Sequence, residues 1–355
     1  MYKHYKKLLR KYLFRPNITG ISIGFKEIGG KLQEGWIVFK FYVYKKYERL
    51  ADSSQIIPRK LYGYDTDVVE SHFSIGTLLP IPKTLSECTD KRCQIYDNPV
   101  GGVSIGHYKI TAGTLSTAIH DNLAHRPAFM SNFHVLAYPQ DRGIGDLILQ
   151  PGKYDIDRLN LDYNKSKYGT LYRWVTVKTM SSTDCPISNI EKSLHNYLAS
   201  LLNRKTWMMP LVMNTVDVAI GLPEYNDRDI TVPIIKIPKL TGVFNDWKNV
   251  LGVKVQKSGR TTCHTRGIIS DYPLSLNVNY GELGLAYFTD QLGIKPLEPD
   301  EPFIQGGDSG SLLVTEDYKV IGLCFAGNQN GSLGVANTEY NLKREMGDFR
   351  WICYE

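Results

Sequence analysis

The apolar positions of this chain repeat with two periods, and the change from one to the other divides it. Over residues 2–14, Tyr5, Leu8, Leu9, Tyr12 and Leu13 recur at helical spacing, with the basic residues on the other face. This predicts an amphipathic helix. Residues 18–28 and 35–45 are β-rich and joined across Ile28-Gly29-Gly30-Lys31, which predicts a hairpin turning on the glycine pair. The second strand alternates only weakly through Trp36-Ile37-Val38-Phe39-Lys40-Phe41-Tyr42-Val43-Tyr44, so it is expected to be covered on both faces. A polar stretch at 45–60 and a strand near 66–70 close a small α+β domain over residues 1–77. Residues 78–99 are rich in Pro, Thr, Lys and Asp, show no sustained period, and read as a linker.

From Gly101 onward the period shortens. Strands are predicted at 103–118, 127–130, 146–149, 168–178, 216–220, 253–256, 264–271, 284–289, 311–314, 319–326 and 333–336, separated by Gly, Pro, Asn and Asp. Many short strands with such punctuation predict barrels or a sandwich over residues 100–355. Two helices interrupt them. Ser188 and Glu191 form a capping box, and Ile190, Leu194, Tyr197, Leu198, Leu201 and Leu202 make an apolar stripe, so a helical insertion is expected over about 186–205. It reads as a packing element, or as a lid or homo-oligomer contact, and its His195 is given no chemical role. A second helix is expected at 338–346, capped by Asn337 or Thr338.

Composition changes this picture little. Hydrophobic residues make 42% and charged residues 22% of the 355, which is ordinary for a globular protein, and no apolar run is long enough for a membrane span. The net charge of +6 comes from one place: Lys3, Lys6, Lys7, Arg10, Lys11 and Arg15 precede any acid, and the remaining 36 Lys and Arg match the 36 Asp and Glu. A body-wide nucleic-acid surface is therefore not expected. The basic helix face is solvated, or it meets an acidic partner or membrane surface. The N-terminus lacks the apolar core of a secretory signal, which makes a cytoplasmic location the expectation. Six cysteines (Cys88, Cys93, Cys185, Cys263, Cys324 and Cys353) are too few for a disulfide framework in this length and are expected as reduced thiols. No second Cys or His pair accompanies Cys88 and Cys93, so no metal site is assigned.

The chemistry concentrates in Gly306-Gly307-Asp308-Ser309-Gly310-Ser311, followed by Leu312-Leu313-Val314. A serine between glycines on a tight turn into a buried strand exposes its oxygen. The amides of Gly307 and Ser309 can then point at one spot, as an oxyanion hole requires. An ordinary polar turn is the bland alternative. Two partners for the serine are present. His134 ends the run Phe129-Met130-Ser131-Asn132-Phe133-His134, and Asp217 sits inside the apolar run Val216-Asp217-Val218-Ala219-Ile220, where a carboxylate is costly unless paired.

Ser131-Asn132-Phe133-His134-Val135-Leu136, Val216-Asp217-Val218-Ala219-Ile220 and Gly306-Gly307-Asp308-Ser309-Gly310-Ser311 resemble the His, Asp and Ser blocks of trypsin-like peptidases. A nearer resemblance is to the Narrow Leaf-type peptidases of plants and their bacterial relatives. It rests on Gly101-Gly102-Val103-Ser104-Ile105-Gly106-His107-Tyr108, Gly145-Asp146-Leu147-Ile148-Leu149-Gln150-Pro151-Gly152 and Gln256-Lys257-Ser258-Gly259-Arg260-Thr261-Thr262. It covers about residues 100–340. Before that only Thr19-Gly20-Ile21-Ser22-Ile23-Gly24-Phe25-Lys26 is similar.

The resemblance implies a chymotrypsin-like double β-barrel, with His134 and Asp217 in the first half and Ser309 in the second. It implies a serine endopeptidase that needs no cofactor and acts on a protein or peptide. Ser309 is then the nucleophile, His134 the general base, and Asp217 the group that orients the imidazole. It places Phe303 at the base of the primary pocket and Phe325, Ala326, Gly327 and Val335 on its walls. None is acidic, so cleavage is expected after apolar or small residues. It implies that Lys257, with Arg260 as second choice, holds Asp308 in place of a new N-terminus. Cys263 stands where those relatives have Gly. The alternatives are a catalytically quiet binding or regulatory module on the same fold, and a serine esterase using the same groups.

Overall fold

A computed structural model describes residues 1–47, 56–76, 87–110, 112–137, 142–179, 213–225, 229–298 and 300–353. It divides into two compact units, the first made of Met1–Phe73, Lys178–Asn214 and Asp271–Asp290, the second of Ser74–Val177, Thr215–Ser270 and Gln291–Glu355.

The first unit opens with α1 (Tyr2–Tyr12), whose buried residues Tyr5, Leu8 and Tyr12 are the stripe read from the sequence. Lys3, Lys6, Lys7, Arg10 and Lys11 stay exposed. The Tyr5 hydroxyl lies 2.8 Å from Ser275 Oγ and 3.1 Å from the Ile21 carbonyl, anchoring the helix on the sheet. Strands β1 (Ile18–Ile28) and β2 (Lys31–Val43) form the expected hairpin. Gly29 and Gly30 take φ of 58° and 79°, the paired positive values that a two-residue turn of this hand requires. The last six residues of β2 are all buried, which accounts for their weak alternation. A short hairpin of β3 (Lys60–Leu61) and β4 (Tyr64–Glu70) follows, and β4 runs parallel to β2. On its other edge β1 pairs antiparallel with 271–276, Gly20 opposite Leu276.

This unit buries a charge cluster. Lys40 Nζ lies 2.7 Å from Glu27 Oε1 and 3.4 Å from Asp271 Oδ2, while Ser22 Oγ and Tyr42 OH donate to Asp271 Oδ1 at 2.5 and 2.9 Å. Burial works against the ammonium, but Asp271 and Glu27 outweigh it and hold the Lys40 pKa above its ordinary value.

The second unit begins within β5 (Phe73–Ile75) and continues into α2 (Glu87–Arg92), which lies in the stretch read as a linker. Six residues are too few to show a helical period. Arg92, 2% exposed, donates to the carbonyls of Gly102 and Gly259 and to Ser258 Oγ. The predicted strand at 103–118 is two short ones, β6 (Ser104–His107) and β7 (Gly113–Thr114). They join β8 (Ala118–Asp121), β9 (Arg126–Ser131), β10 (Leu147–Leu149), β11 (Lys167–Trp174) and β12 (Ala219–Pro223). Short helices α3 (Phe133–Leu136), α4 (Lys153–Leu159) and α5 (Tyr163–Ser166) lie between strands.

The chain then forms β13 (Gly242–Val243), β14 (Lys254–Gly259), β15 (Cys263–Asn279), β16 (Leu285–Pro296), β17 (Leu312–Thr315), β18 (Lys319–Asn328), β19 (Gly334–Thr338), α6 (Glu339–Met346) and β20 (Phe349–Trp351), of which residues 271–279 of β15 and 285–290 of β16 count with the first unit. The first curled sheet runs β20-β8-β9-β12-β11-β10-β6-β7. The second runs β14-β17-β18-β19-β16-β15 and closes on itself because β14 also pairs with β15. The protein is thus mainly β, and its two curled sheets resemble a double β-barrel of chymotrypsin-like form. Strands β15 and β16 run past their predicted ends at 271 and 289. Pro273 reads as a strand stop in the sequence, yet β15 continues through it.

Two apolar clusters fill this unit. One gathers Ile119, Met130, Val218, Ile220, Leu342 and Phe349; the other gathers Ile234, Ile237, Leu240, Leu312, Val314 and Val320. Helix α6 is capped by Thr338, whose side chain accepts from the Asn341 amide. The insertion expected over 186–205, with Ser188, Glu191 and His195, lies outside the described residues. Among the described residues no helix is long and apolar enough to cross a membrane.

Candidate active site

His134 sits in α3, one short turn after β9 ends at Ser131. Asp217 lies two residues before β12, which pairs with β9 so that Ala219 faces Ser131. The register brings the two side chains together: His134 Nδ1 is 2.6 Å from Asp217 Oδ2, and the His134 amide donates to Asp217 Oδ1 at 3.2 Å. Both side chains are fully buried. The aspartate's backbone is held from both sides, by Asn132 Nδ2 on its carbonyl at 2.7 Å and by its amide on Asn337 Oδ1 at 3.0 Å. A buried imidazole with one nitrogen committed to a carboxylate has its tautomer fixed.

Ser309 lies on the turn before β17. Gly307 takes φ +96°, where any side chain would be strained, and an added Cβ would meet Thr261 Oγ1 at 2.6 Å. The turn is pinned by Thr114, whose Oγ1 donates to the Gly307 carbonyl at 2.8 Å and whose amide donates to the Ser309 carbonyl at 2.7 Å. Gly310 packs against Ser131 Oγ and the Thr114 carbonyl, so this turn lies beside the strand that leads to His134. Among the described residues the amides of Gly307 and Ser309 donate to no other backbone group. The Ser309 hydroxyl donates to the Phe325 carbonyl at 3.0 Å and accepts from the Gly76 amide at 3.1 Å.

Asp308 is held inward by more than one group. Its Oδ1 accepts from the amides of Thr261 and Thr262 at 2.8 and 3.1 Å, and its Oδ2 from Thr262 Oγ1 and the Gln305 amide at 2.7 and 3.0 Å. Lys257 Nζ lies 3.4 Å from Asp308 Oδ2 and also donates to Thr262 Oγ1. Burial depresses the Lys257 ammonium, an effect that Asp308 opposes without overcoming. Arg260, the second choice for this role, is spent elsewhere. Its Nε donates to Asp155 Oδ2 at 2.8 Å and its Nη2 to Asp155 Oδ1.

Cys263 takes φ +60°, the left-handed conformation that favours the glycine expected there. It is disulfide-bonded, which corrects the expectation of reduced thiols throughout. Nothing in one chain's cysteine spacing marks such a pair. Cys93 and Cys324 are free and buried, and burial pushes both thiols up to about 12.

Phe303, Phe325, Ala326 and Val335 are wholly buried. Phe303 packs between β15 and β19: a Cβ added at Gly267 or Gly334 would meet its ring at 3.0 or 2.6 Å. Gly327 lies opposite Gly334 in the β18–β19 pair.

No family model matches the chain. It is 24% identical over 345 residues to Protein NARROW LEAF 1 of Oryza sativa subsp. japonica, which covers 92% of this chain and 53% of that protein. The chain thus spans about half the length of the curated relative it matches. The structure resembles chymotrypsin-fold serine proteases. Thermobifida fusca Protease A is similar at 14% identity and TM-score 0.42, over 72% of this chain and 98% of that one. Cellulomonas bogoriensis chymotrypsin is similar at 14% identity and TM-score 0.41, over 72% and 98%. A glutamic acid-specific serine protease, described as using a novel histidine triad in substrate binding, is similar at 12% identity and TM-score 0.43, over 72% and 100%.

Sequence reading missed the residues that hold these groups in place. Thr114, Asn132, Asn337 and the buried Arg92 act through hydrogen bonds to residues distant in the chain, mostly to backbone, and no motif marks them. Asn132 alone carried a local signal, as the polar step before His134.

Proposed function

We propose that this protein is a serine peptidase whose nucleophile is Ser309. His134 takes the hydroxyl proton as Ser309 attacks the substrate carbonyl, and returns it to the leaving amine as the acyl-enzyme forms. Water then attacks that ester with the same imidazole as base. Asp217 holds the ring and stabilises the imidazolium, and the amides of Gly307 and Ser309 receive the oxyanion. The observation that carries this reading is the buried His134 Nδ1–Asp217 Oδ2 bond of 2.6 Å. A pair of that kind has little structural reason to be buried together, because each partner gives up solvation for one hydrogen bond.

In this reading the substrate is a protein or peptide, cleaved after an apolar or small residue that packs against Phe303, Ala326 and Val335. The basic face of α1 takes an acidic partner. The experiment is covalent labelling of the intact chain by a fluorophosphonate, with peptide mapping of the adduct and Ser309→Ala as control. Modification of Ser309 that needs His134 supports the reading. A chain that hydrolyses peptides equally well as Ser309→Ala would overturn it.

A further inference from the structure

Strand β5 adds to β18, and where it adds is decided by what β18 already holds. On one edge β17 takes Val320, Gly322 and Leu323, and the Cys324 amide bonds Ser311. On the other edge β13 takes Lys319 and Val320, and β19 takes Gly322 to Gly327. Strand β5 pairs with β15 as well, and on the β17 edge the pairing of β18 ends at Cys324, from which we infer Phe325–Asn328 as the seat of β5. Beyond β5 the next residue reaches the serine itself, with the Gly76 amide 3.1 Å from Ser309 Oγ. A Cβ on residue 76 would stand 2.0 Å from that oxygen, 3.0 Å from Ser309 Cβ and 3.2 Å from the Ser309 amide, which is one of the two proposed oxyanion donors. Ile75 beside it is 1% exposed.

We propose that residues 73–76 occupy the track along which an extended peptide substrate adds to β18, so that the full chain carries its own occupant over Ser309. The proposal rests on Ser309 being the nucleophile. Adding a strand to an exposed sheet edge is a general way to bind an extended peptide, with main-chain hydrogen bonds supplying affinity. The serine's own bonding fits an occupied, resting site. A hydroxyl has one proton, and here it goes to the Phe325 carbonyl while Gly76 fills a lone pair, so it is not available to a base. Gly76 is the residue that permits the seat, since any side chain there would overlap the nucleophile. Turnover then requires residues 73–76 to leave β18 and the Ser309 side chain to rotate.

The test uses the full chain. Intact-mass kinetics would compare fluorophosphonate labelling of the wild type with Gly76→Val, and with Gly76→Ala in case the valine variant does not fold. Labelling at least tenfold faster in a folded variant is expected, which corresponds to an open fraction below about one tenth in the wild type. Equal or slower labelling in the variants of a wild type that does label would overturn the proposal. A second arm does not need a working nucleophile. Fluorescence anisotropy of a dye-labelled Phe-Ser-Ile-Gly peptide would be measured against His134→Ala and against His134→Ala/Gly76→Val, both of which keep the Ser309 oxygen that a side chain at 76 would meet. Capture by the double variant and not by the single one is expected, and equal capture would overturn the proposal. If the double variant binds peptide while no protein is ever labelled, the acyl-transfer reading fails and the self-occupied track stands. If labelling is fast in the wild type and unchanged by Gly76→Val, the track proposal fails and the nucleophile stands.

Discussion

Replacing Lys257 by methionine separates what holds the protein together from what shapes the oxyanion hole. At 3.4 Å the attraction between Lys257 and Asp308 is about 5 kcal/mol at an effective dielectric near 20. Burying the ammonium costs several kcal/mol. The depressed Lys257 pKa says that this cost exceeds the attraction, so the charged side chain is worse off here than in water. Asp308 would not be stranded by its loss, because four neutral donors remain: the amides of Thr261, Thr262 and Gln305 and the Thr262 hydroxyl. Several amide bonds suffice to keep a carboxylate ionised. The usual penalty of about 3–5 kcal/mol for breaking a buried pair should therefore shrink to below about 2 kcal/mol. The geometry has less margin. Lys257 also donates to Thr262 Oγ1, and Thr262 in turn positions the carboxylate beside the Gly307–Ser309 turn. Losing the function of one oxyanion donor lowers kcat by about 10²–10³. The expected outcome for Lys257→Met is a melting temperature lower by a few degrees and kcat/KM on a chromogenic peptide lower by about two orders of magnitude, both measured on uncleaved protein. Full activity in the variant would refute the reasoning about the hole. A collapse of the fold would refute the reasoning about the remaining donors.

Other expectations follow from the same structure. Ser309→Ala and His134→Ala should each lower turnover by about four to six orders of magnitude with little change in the thermal melt, and Asp217→Asn by about 10⁴, all read by single-substrate kinetics. Because Lys257 titrates below the ordinary lysine value of 10.5, activity should fall on the alkaline side before exposed lysines lose their protons. The sign for stability is opposite: the penalty of the buried ammonium is full below its folded pKa and vanishes above the unfolded one, so this group's contribution improves as pH rises through that window. Paired pH–rate and pH–melting profiles would show the two trends diverging. A peptide-library profile should favour apolar or small residues before the cut, graded by about 1–3 kcal/mol per methylene, and dominance by Arg or Lys would contradict the Phe303 base. Leu8→Ala in α1 should cost about 2–5 kcal/mol in denaturant unfolding, because the side chain is buried and its loss leaves a cavity.

Asp217, His134 and Ser309 stand out in the sequence because each carries a local contradiction: a carboxylate within the apolar run Val216–Ile220, a histidine closing a buried strand, a serine among glycines. The hairpin at Gly29-Gly30 was legible for the same reason, since only glycine takes that turn cheaply. Lys257 was already the first choice from the resemblance, but the reason that excludes Arg260 was not legible. It depends on Asp155, more than a hundred residues before Arg260, which claims the guanidinium for itself. Helix α2 and the buried Arg92 were hidden by shortness, and the continuation of β15 was hidden by Pro273. The occupant of β18 was hidden because Phe73-Ser74-Ile75-Gly76 looks like any short strand. What matters is the edge it joins.

The first unit is assembled from pieces far apart in the chain, and this has a consequence for its synthesis. A hydrogen bond between residues 270 positions apart, Tyr5 to Ser275, fastens α1, and β1 has no partner on its second edge until residues 271–276 exist. At about 5–20 residues per second, a ribosome takes on the order of 10–50 s to supply them. For that time the β1–β2 hairpin is a nascent chain with an unpaired, largely apolar edge and a lysine, Lys40, whose partner Asp271 has not been made. Yield in a cell should then depend on elongation speed and on chaperones that cover sheet edges, and slow codons placed between these segments should lower soluble yield without altering the finished protein.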